Sequence, residues 1–341
     1  MSGQPNDQTN TRPLKLSILD LAAVGRNETI RESFAGSVAL AQTAERVGYD
    51  RIWYAEHHNI RSIASSATAV LISHIGAHTS TIRLGAGGVM LPNHSPLVIA
   101  EQFGTLAELY PGRIDLGLGR APGSDQATFR ALRRDHAASE RFPEDVIELQ
   151  KFLGDESPIP GITAIPGKGT NVPLYILGSS LFGAQLAAML GLPYGFASHF
   201  APDHLHNAVR IYRERYQPSE RHPEPYVIAG VSVIAAPTDT EAQELRESTR
   251  RSRVKSLFSR GDEPLTDEQA EAILRGPGAE TVDHMMRYSV AGTPDACADY
   301  LRDFAAYANA DELMVVHQTN TVPTRVRSVE LLAEAVGLTP R

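Results

Sequence analysis

The stretch IRLGAGGVMLPNHSPLVIAEQFGTLAELYPGRIDLGLG, residues 82–119, decides the fold because its periodicity changes twice. IRLGAGG (82–88) is a short apolar run broken by glycines, with the length of a strand. PLVIAEQFGTLAELY (96–110) then sets apolar residues at helical spacing. It opens on Pro96, whose fixed φ and missing N–H suit a first helical turn. RIDLGLG (113–119) returns to a strand. A strand, a helix and a strand in succession predict a βαβ unit and parallel pairing, because parallel neighbours need a crossover of this length.

The same alternation recurs on both sides. Upstream lie LKLSILD (14–20), the helical run SFAGSVALAQTAERVGYD (33–50) with Gly48 as its stop, and RIWYAE (51–56). Downstream lie VPLYILG (172–178), YGFAS (194–198), YVIAGVSVIAA (226–236) and ELMVVHQ (312–318), which makes eight strand candidates. Eight strands, each followed by helix, predict an α/β fold of the (β/α)8 TIM-barrel type, for which about 250 residues is typical. A doubly wound open sheet is the alternative. The surplus of this 341-residue chain falls in two insertions, 124–169 between strands 4 and 5 and 236–311 between strands 7 and 8. The first holds a helix near 144–152 and a loop rich in Pro and Gly. The second holds two or three helices, the polar run SRGDEPLTDEQ (259–269) and a break at RGPGAE (275–280). Such polar stretches have little apolar surface to hold them down, which suits a mobile lid; a solvated structural excursion fits equally. No internal repeat is visible, so 13–341 reads as one domain behind a disordered polar tail, 1–12.

Composition narrows the functional classes. With 32 Lys+Arg against 40 Asp+Glu the formal charge is -8, which opposes phosphate-led binding of nucleic acid. Cys297 is the single cysteine, so neither an internal disulfide nor a thiolate metal cluster is available, and a reducing cytoplasm is expected. MSGQPNDQTNTRP at the start lacks the cationic and apolar regions of a signal peptide, and no apolar run approaches the roughly 20 residues of a membrane helix.

In a barrel, chemistry sits at the C-terminal strand ends. The second strand ends in Glu56, His57 and His58. Successive strand residues point to opposite faces, so the two histidines are a poor pair of metal ligands, while one of them faces the mouth. A catalytic role and a structural hydrogen-bonding role both fit that one. HIGAH (74–78) lacks the glutamate of a zinc HExxH motif, and HLH (204–206) opens a helix; both read as packing or surface histidines, and no catalytic metal is expected. The third strand ends with Gly85, Gly87 and Gly88, which weakens a strand unless a bulge, a corner or a close-lying flat ring requires it. GLGRAPGSD after the fourth strand does not meet G-x-G-x-x-G, which leaves Arg120 as a fork able to clamp a phosphate or as a plain surface arginine. Gly178, Ser179 and Ser180 lead into a helix, where free N–H groups make an anion site or Ser serves as an ordinary cap.

Taken in order, these pieces resemble the bacterial luciferase-like flavin-dependent monooxygenases, a (β/α)8 family. The resemblance runs over residues 14–191 through WYAEHHN, GAGGVMLPNHSPLVIAEQFGTLAELYPGRIDLGLGRAPGSD and LGSS, and returns at AGTPDACADYL (291–301) and the last strand. It implies that His57 is catalytic, with Glu56 orienting it or bonding within the barrel. It implies a non-prolyl cis peptide at Gly87-Gly88 beneath an isoalloxazine ring, and a phosphate held by Arg120, Gly178, Ser179 and Ser180, with Gly183 where luciferase has a hydroxyl. Two positions depart from luciferase: Ser179 replaces a glutamate, and His94 stands one place out of register with a histidine. Both weaken the transfer of aldehyde specificity or light emission. The implied reaction uses reduced FMN, delivered by a separate flavin reductase, and O2 to form a C4a-hydroperoxyflavin that oxygenates an organic substrate, an aldehyde or a secondary metabolite. The alternatives are an F420-dependent oxidoreductase and a non-catalytic flavin-binding protein. A homodimer is the expected assembly.

Overall fold

The structure, a computed structural model, describes residues 13–25, 27–121, 126–134, 137–259 and 265–340. The expected N-terminal tail, the end of GLGRAPGSD and part of the 259–269 run lie outside the described residues. The strands are β1 (Leu16–Asp20), β2 (Arg51–Tyr54), β3 (Arg83–Met90), β4 (Ile114–Gly119), β5 (Leu174–Gly178), β6 (Tyr194–Phe196), β7 (Val227–Ala235), β8 (Ser289–Gly292) and β9 (Glu312–His317). Strands β1 to β7 pair in sequence and in parallel, and β9 pairs with both β7 and β1, so eight strands close a barrel. All eight strand candidates are in that ring. The ninth strand, β8, was not expected. Its four residues pair only with Ser232–Ala235 at the far end of β7, outside the ring.

Helices surround the barrel: α1 (Ile30–Val47), α2 (Thr68–Gly76), α3 (Pro96–Leu109), α4 (Gln126–Ala131), α5 (Ala137–Glu140), α6 (Phe142–Leu153), α7 (Leu181–Leu190) and α8 (Leu205–Arg215). The second insertion holds α9 (Asp239–Phe258), α10 (Asp267–Leu274) and α11 (Gly278–Met285), then β8 and α12 (Pro294–Tyr307); α13 (Val322–Val336) follows β9. Local signals set the limits of α1. Thr29 and Glu32 form a reciprocal capping box, and Gly48 ends the helix at φ 94°, a conformation that suits glycine. The break expected at 275–280 separates α10 from α11. Among the described residues no helix is long and apolar enough to cross a membrane. Cys297 is buried, and burial pushes its thiol up to about 11, which keeps it protonated.

Three apolar clusters divide the work. The largest lies between barrel and helices and includes Leu40, Ile72, Phe103, Val146 and Leu332. Burying each such side chain contributes about 1.5–3 kcal/mol. A second fills the barrel with Leu19, Trp53, Tyr175, Ile228, Met314 and Val316. A third, Val254, Ala270, Val282 and Met286, belongs to α9, α10 and α11 alone.

The base of the barrel is polar. Arg51 donates to Asp115 at 2.8 Å, Asp50 at 2.9 Å, Glu312 at 3.1 Å and the Tyr175 hydroxyl at 2.7 Å. Its side chain is buried, so the fork holds three carboxylates that have left water. Removing one partner from such a network leaves buried charge uncompensated. Arg51→Met is expected to lower stability by about 3–5 kcal/mol, read from the midpoint of urea unfolding; a loss under about 1 kcal/mol would show that the base does not depend on this side chain.

Candidate active site

The C-terminal ends of the strands form the mouth. At the end of β2, Ala55 belongs to the inner cluster, so Glu56 turns away and His57 turns back toward the mouth. The His57 backbone N–H donates to Ser65 at 3.2 Å, which ties this segment to the loop ahead of α2. His57 is half-buried, and its charge bears on His199, which follows β6.

Glu56 is buried behind β2 and gathers donors from two strand ends. It accepts from His58 Nε2 at 2.8 Å, His94 Nε2 at 2.9 Å, the Met90 N–H at 3.0 Å and Asn93 Nδ2 at 3.3 Å. Burial alone would raise its carboxyl pKa, but the bonds from His58 and His94 outweigh it and pull the value down to about 2. The bond to Glu56 raises the pKa of His58 in turn. His58 is thus a structural partner of Glu56, and Glu56 holds the turn that carries His57.

On β3 the Gly87-Gly88 peptide is cis. A Cβ on Gly87 would lie 2.9 Å from Leu19 Cδ1 and 3.0 Å from Trp53 Cβ, and one on Gly88 would lie 2.6 Å from the Gly117 carbonyl oxygen. The β3–β4 register also shifts between Ala86 and Val89, so the bulge and the bare backbone occur together. Both glycines are therefore required by close packing against β1, β2 and β4, and neither adds a side chain at this end of the strand.

Strands β4 and β5 bring the anion candidates side by side, since Gly119 pairs with Leu177 and each is followed by a site residue. The exposed Arg120 guanidinium lies 4.0 Å above the centre of the Phe182 ring, which holds it over the start of α7. Ser180 is the N-cap of α7, yet its side chain makes no capping bond. The first-turn N–H groups of α7 therefore face outward at the positive end of the helix. Gly183 leaves room for the Tyr194 ring, where a Cβ would stand 3.4 Å from Cε2, and the Tyr194 hydroxyl donates to the Ser180 carbonyl at 3.2 Å.

His94, His199 and Arg253 were not recognised as site residues from the sequence. His94 had a signal: β2 and β3 are neighbours, so residues just past their ends meet. His199 lies against Gly230 of β7, where any Cβ would strike its ring. Burial, then the charges of Arg253 and His57, lower its pKa to about 3, so it is neutral at ordinary pH. Arg253 comes from α9, and burial lowers its pKa as well. The pairs at 74/78 and 204/206 are exposed on the outer helices.

The sequence profile of the luciferase-like monooxygenases matches residues 14–311. A luciferase-like monooxygenase of Escherichia coli (strain K12) is 45% identical over 322 residues, covering 94% of this chain and 96% of that protein. The N-acetyl-S-alkylcysteine monooxygenase of Bacillus subtilis (strain 168) is 34% identical over 335 residues, covering 95% and 98%. Among solved structures, apo-MsnO8 superposes with a TM-score of 0.84 at 38% identity, covering 96% of this chain and 99% of that one. The oxygenating constituent of 3,6-diketocamphane monooxygenase from Pseudomonas putida, in complex with FMN, shares the fold at a TM-score of 0.70 and 16% identity, covering 95% and 98%.

The Glu56 cluster has a defined pH window. The raised His58 pKa contributes stability fully below about pH 6.5 and loses it as pH rises through the folded value; the lowered Glu56 pKa contributes above about pH 4.3 and fades toward pH 2. Stability from this cluster is therefore greatest between about pH 4.5 and 6.5. Glu56→Gln is expected to cost about 2–3 kcal/mol at pH 6 and to flatten the decline above it, measured by urea unfolding across pH. An unchanged slope would assign the decline to other groups.

Proposed function

Because the chain belongs to the luciferase-like monooxygenase family, we propose that it is an FMN-dependent monooxygenase that takes reduced flavin from a separate reductase and oxygenates a small organic substrate. The observation that carries the FMN reading is the uncapped start of α7 beneath Arg120, where helix N–H groups and a guanidinium can meet one anion. Gly87 and Gly88, which bring no side chain to this end of β3, leave its backbone as the surface a flavin ring would approach. When bound, the reduced flavin supplies the activation of O2 that no amino-acid side chain provides.

The chain's own residues bind, orient and protect. Arg120 presents a planar fork to the phosphate, and the Ser179 and Ser180 hydroxyls with the α7 N–H groups complete its shell. Gly178 keeps that turn open, since a Cβ there would meet only the Gly183 Cα at 3.8 Å. His57, through an imidazole nitrogen, moves a proton to or from the reacting oxygen, a task for which imidazole is the usual side chain. Glu56 acts on His57 as a positioning residue, by fixing the end of β2 to the segment after β3. The inner cluster beneath the ring excludes water from its underside.

Two measurements test this. Arg120→Ala is expected to weaken FMN binding about 10–100-fold while leaving riboflavin binding nearly unchanged, because a charge-assisted fork acts on the phosphate alone; equal losses for both would remove the phosphate assignment. His57→Ala, supplied with chemically reduced FMN, is expected to oxygenate substrate about 100-fold more slowly with FMN affinity retained. Tighter binding of reduced F420 than of reduced FMN, with no O2 consumed, would overturn the monooxygenase reading.

A further inference from the structure

We infer that the β6–β7–β9 side of the mouth is a subsite for the carboxylate of a small organic acid, held by Arg253 with Ser232 and His199 and bordered by Gln318. This inference rests on the flavin reading above, since it assigns the substrate class of the same mouth.

The argument starts from an arginine without an acid. On α9, Arg250 pairs with Glu247 and Asp283, and Arg251 lies within reach of Glu271. Arg253 is half-buried, its Nε is enclosed, and among the described residues neither that nitrogen nor the rest of the fork has a carboxylate partner. The buried arginine at the base of the barrel shows the contrast, with its three carboxylates. A cation drawn from water with no counter-charge is unfavourable unless a ligand supplies one.

Its surroundings match that need. Thr249, one turn earlier on the same helix face, donates to the Gln318 carbonyl at 2.8 Å and lays this face of α9 on the end of β9. Arg253 follows one turn on and bears on His199. Ser232 is in register with Val316, a member of the inner cluster, so it points inward, and Gln318 lies two residues beyond Val316 on the same face. Ser232 Oγ, His199 Nδ1 and Gln318 Oε1 are all buried and, like Arg253 Nε, have no hydrogen-bond partner in the described protein. Four side chains from four elements thus leave orphaned polar atoms in one region, which is rare in a folded interior. No anionic side chain is among them, and the guanidinium and the hydroxyl both donate, which calls for an acceptor-rich anion; Gln318 Oε1 only accepts, so it borders the subsite and takes no bond from that anion. The planar fork of arginine fits a carboxylate with two parallel bonds. Flavin phosphate is assigned elsewhere: in the ring of eight strands β9 stands opposite β4, which leads to Arg120.

The test titrates acetate, benzoate and octanoate, each against its amide, and octanesulfonate beside them, into FMN-loaded and flavin-free protein by calorimetry. At least one acid is expected to bind saturably to wild type while its amide does not. Arg253→Met is expected to weaken that binding about tenfold or more, Arg253→Lys to restore part of it, and Arg302→Met, a surface arginine of α12 paired with Asp299, to leave it unchanged. An unaltered thermal midpoint shows that the variants are folded. No saturable acid binding, equal binding of acid and amide, binding of octanesulfonate alone, or binding indifferent to Arg253→Met would each overturn the proposal. Failure of FMN itself to bind would strike the flavin reading, whereas the flavin-free titration still decides the carboxylate subsite.

Discussion

One indole sets the terms for the interior of the barrel. Trp53 reaches from β2 across the ring, meets Tyr175 of β5 edge-on with centres 5.0 Å apart, and donates its Nε1–H to Asp115 at 3.2 Å. Its volume must be matched by absence on the neighbouring strands. A Cβ on Gly85 would lie 2.7 Å from that nitrogen, and one on Gly117 would lie 2.8 Å from Leu177 Cδ1. The polar base and the glycine-rich strands are thus two sides of one packing solution: Asp115 is held by Arg51 and Arg83, and the glycines of β3 and β4 give up their side chains to the groups packed on them. Close-packed interiors give such large-to-small pairings little room to shift.

This packing explains why the glycines of IRLGAGG were legible only in part. They signalled that backbone had to be approached closely, but a bulge, a corner and a ring site predict the same residues. Gly85 and Gly87 prove to make room for Trp53, and Gly88 lets β3 approach the Gly117 backbone of β4. The eight barrel strands were readable because each is a compact apolar run between helical stretches. β8 was not, since SVAG has neither length nor alternation, and its partner is only the overhang of β7.

Site residues were legible where they sit at strand ends and opaque where they depend on chain path. Arg120 and Ser180 follow directly from β4 and β5. The Glu56 cluster required knowing that the ends of β2 and β3 lie side by side, and it showed that His58, not His57, takes the carboxylate. Arg253 carries no local signal, because a basic residue in a polar helix reads as a solvated face. Only the seating of α9 through Thr249 turns it inward.

The small apolar cluster of α9, α10 and α11 divides the molecule's freedom to change. Val254 packs into that cluster, and the charge of its neighbour Arg253 bears on His199, so one helix joins a private core to the strand ends. Ala270, Val282 and Met286 pack against this helix and have no place in the clusters of the barrel itself. The α9 segment thus answers to two sets of contacts at once, its own apolar cluster on one side and the end of β9 on the other.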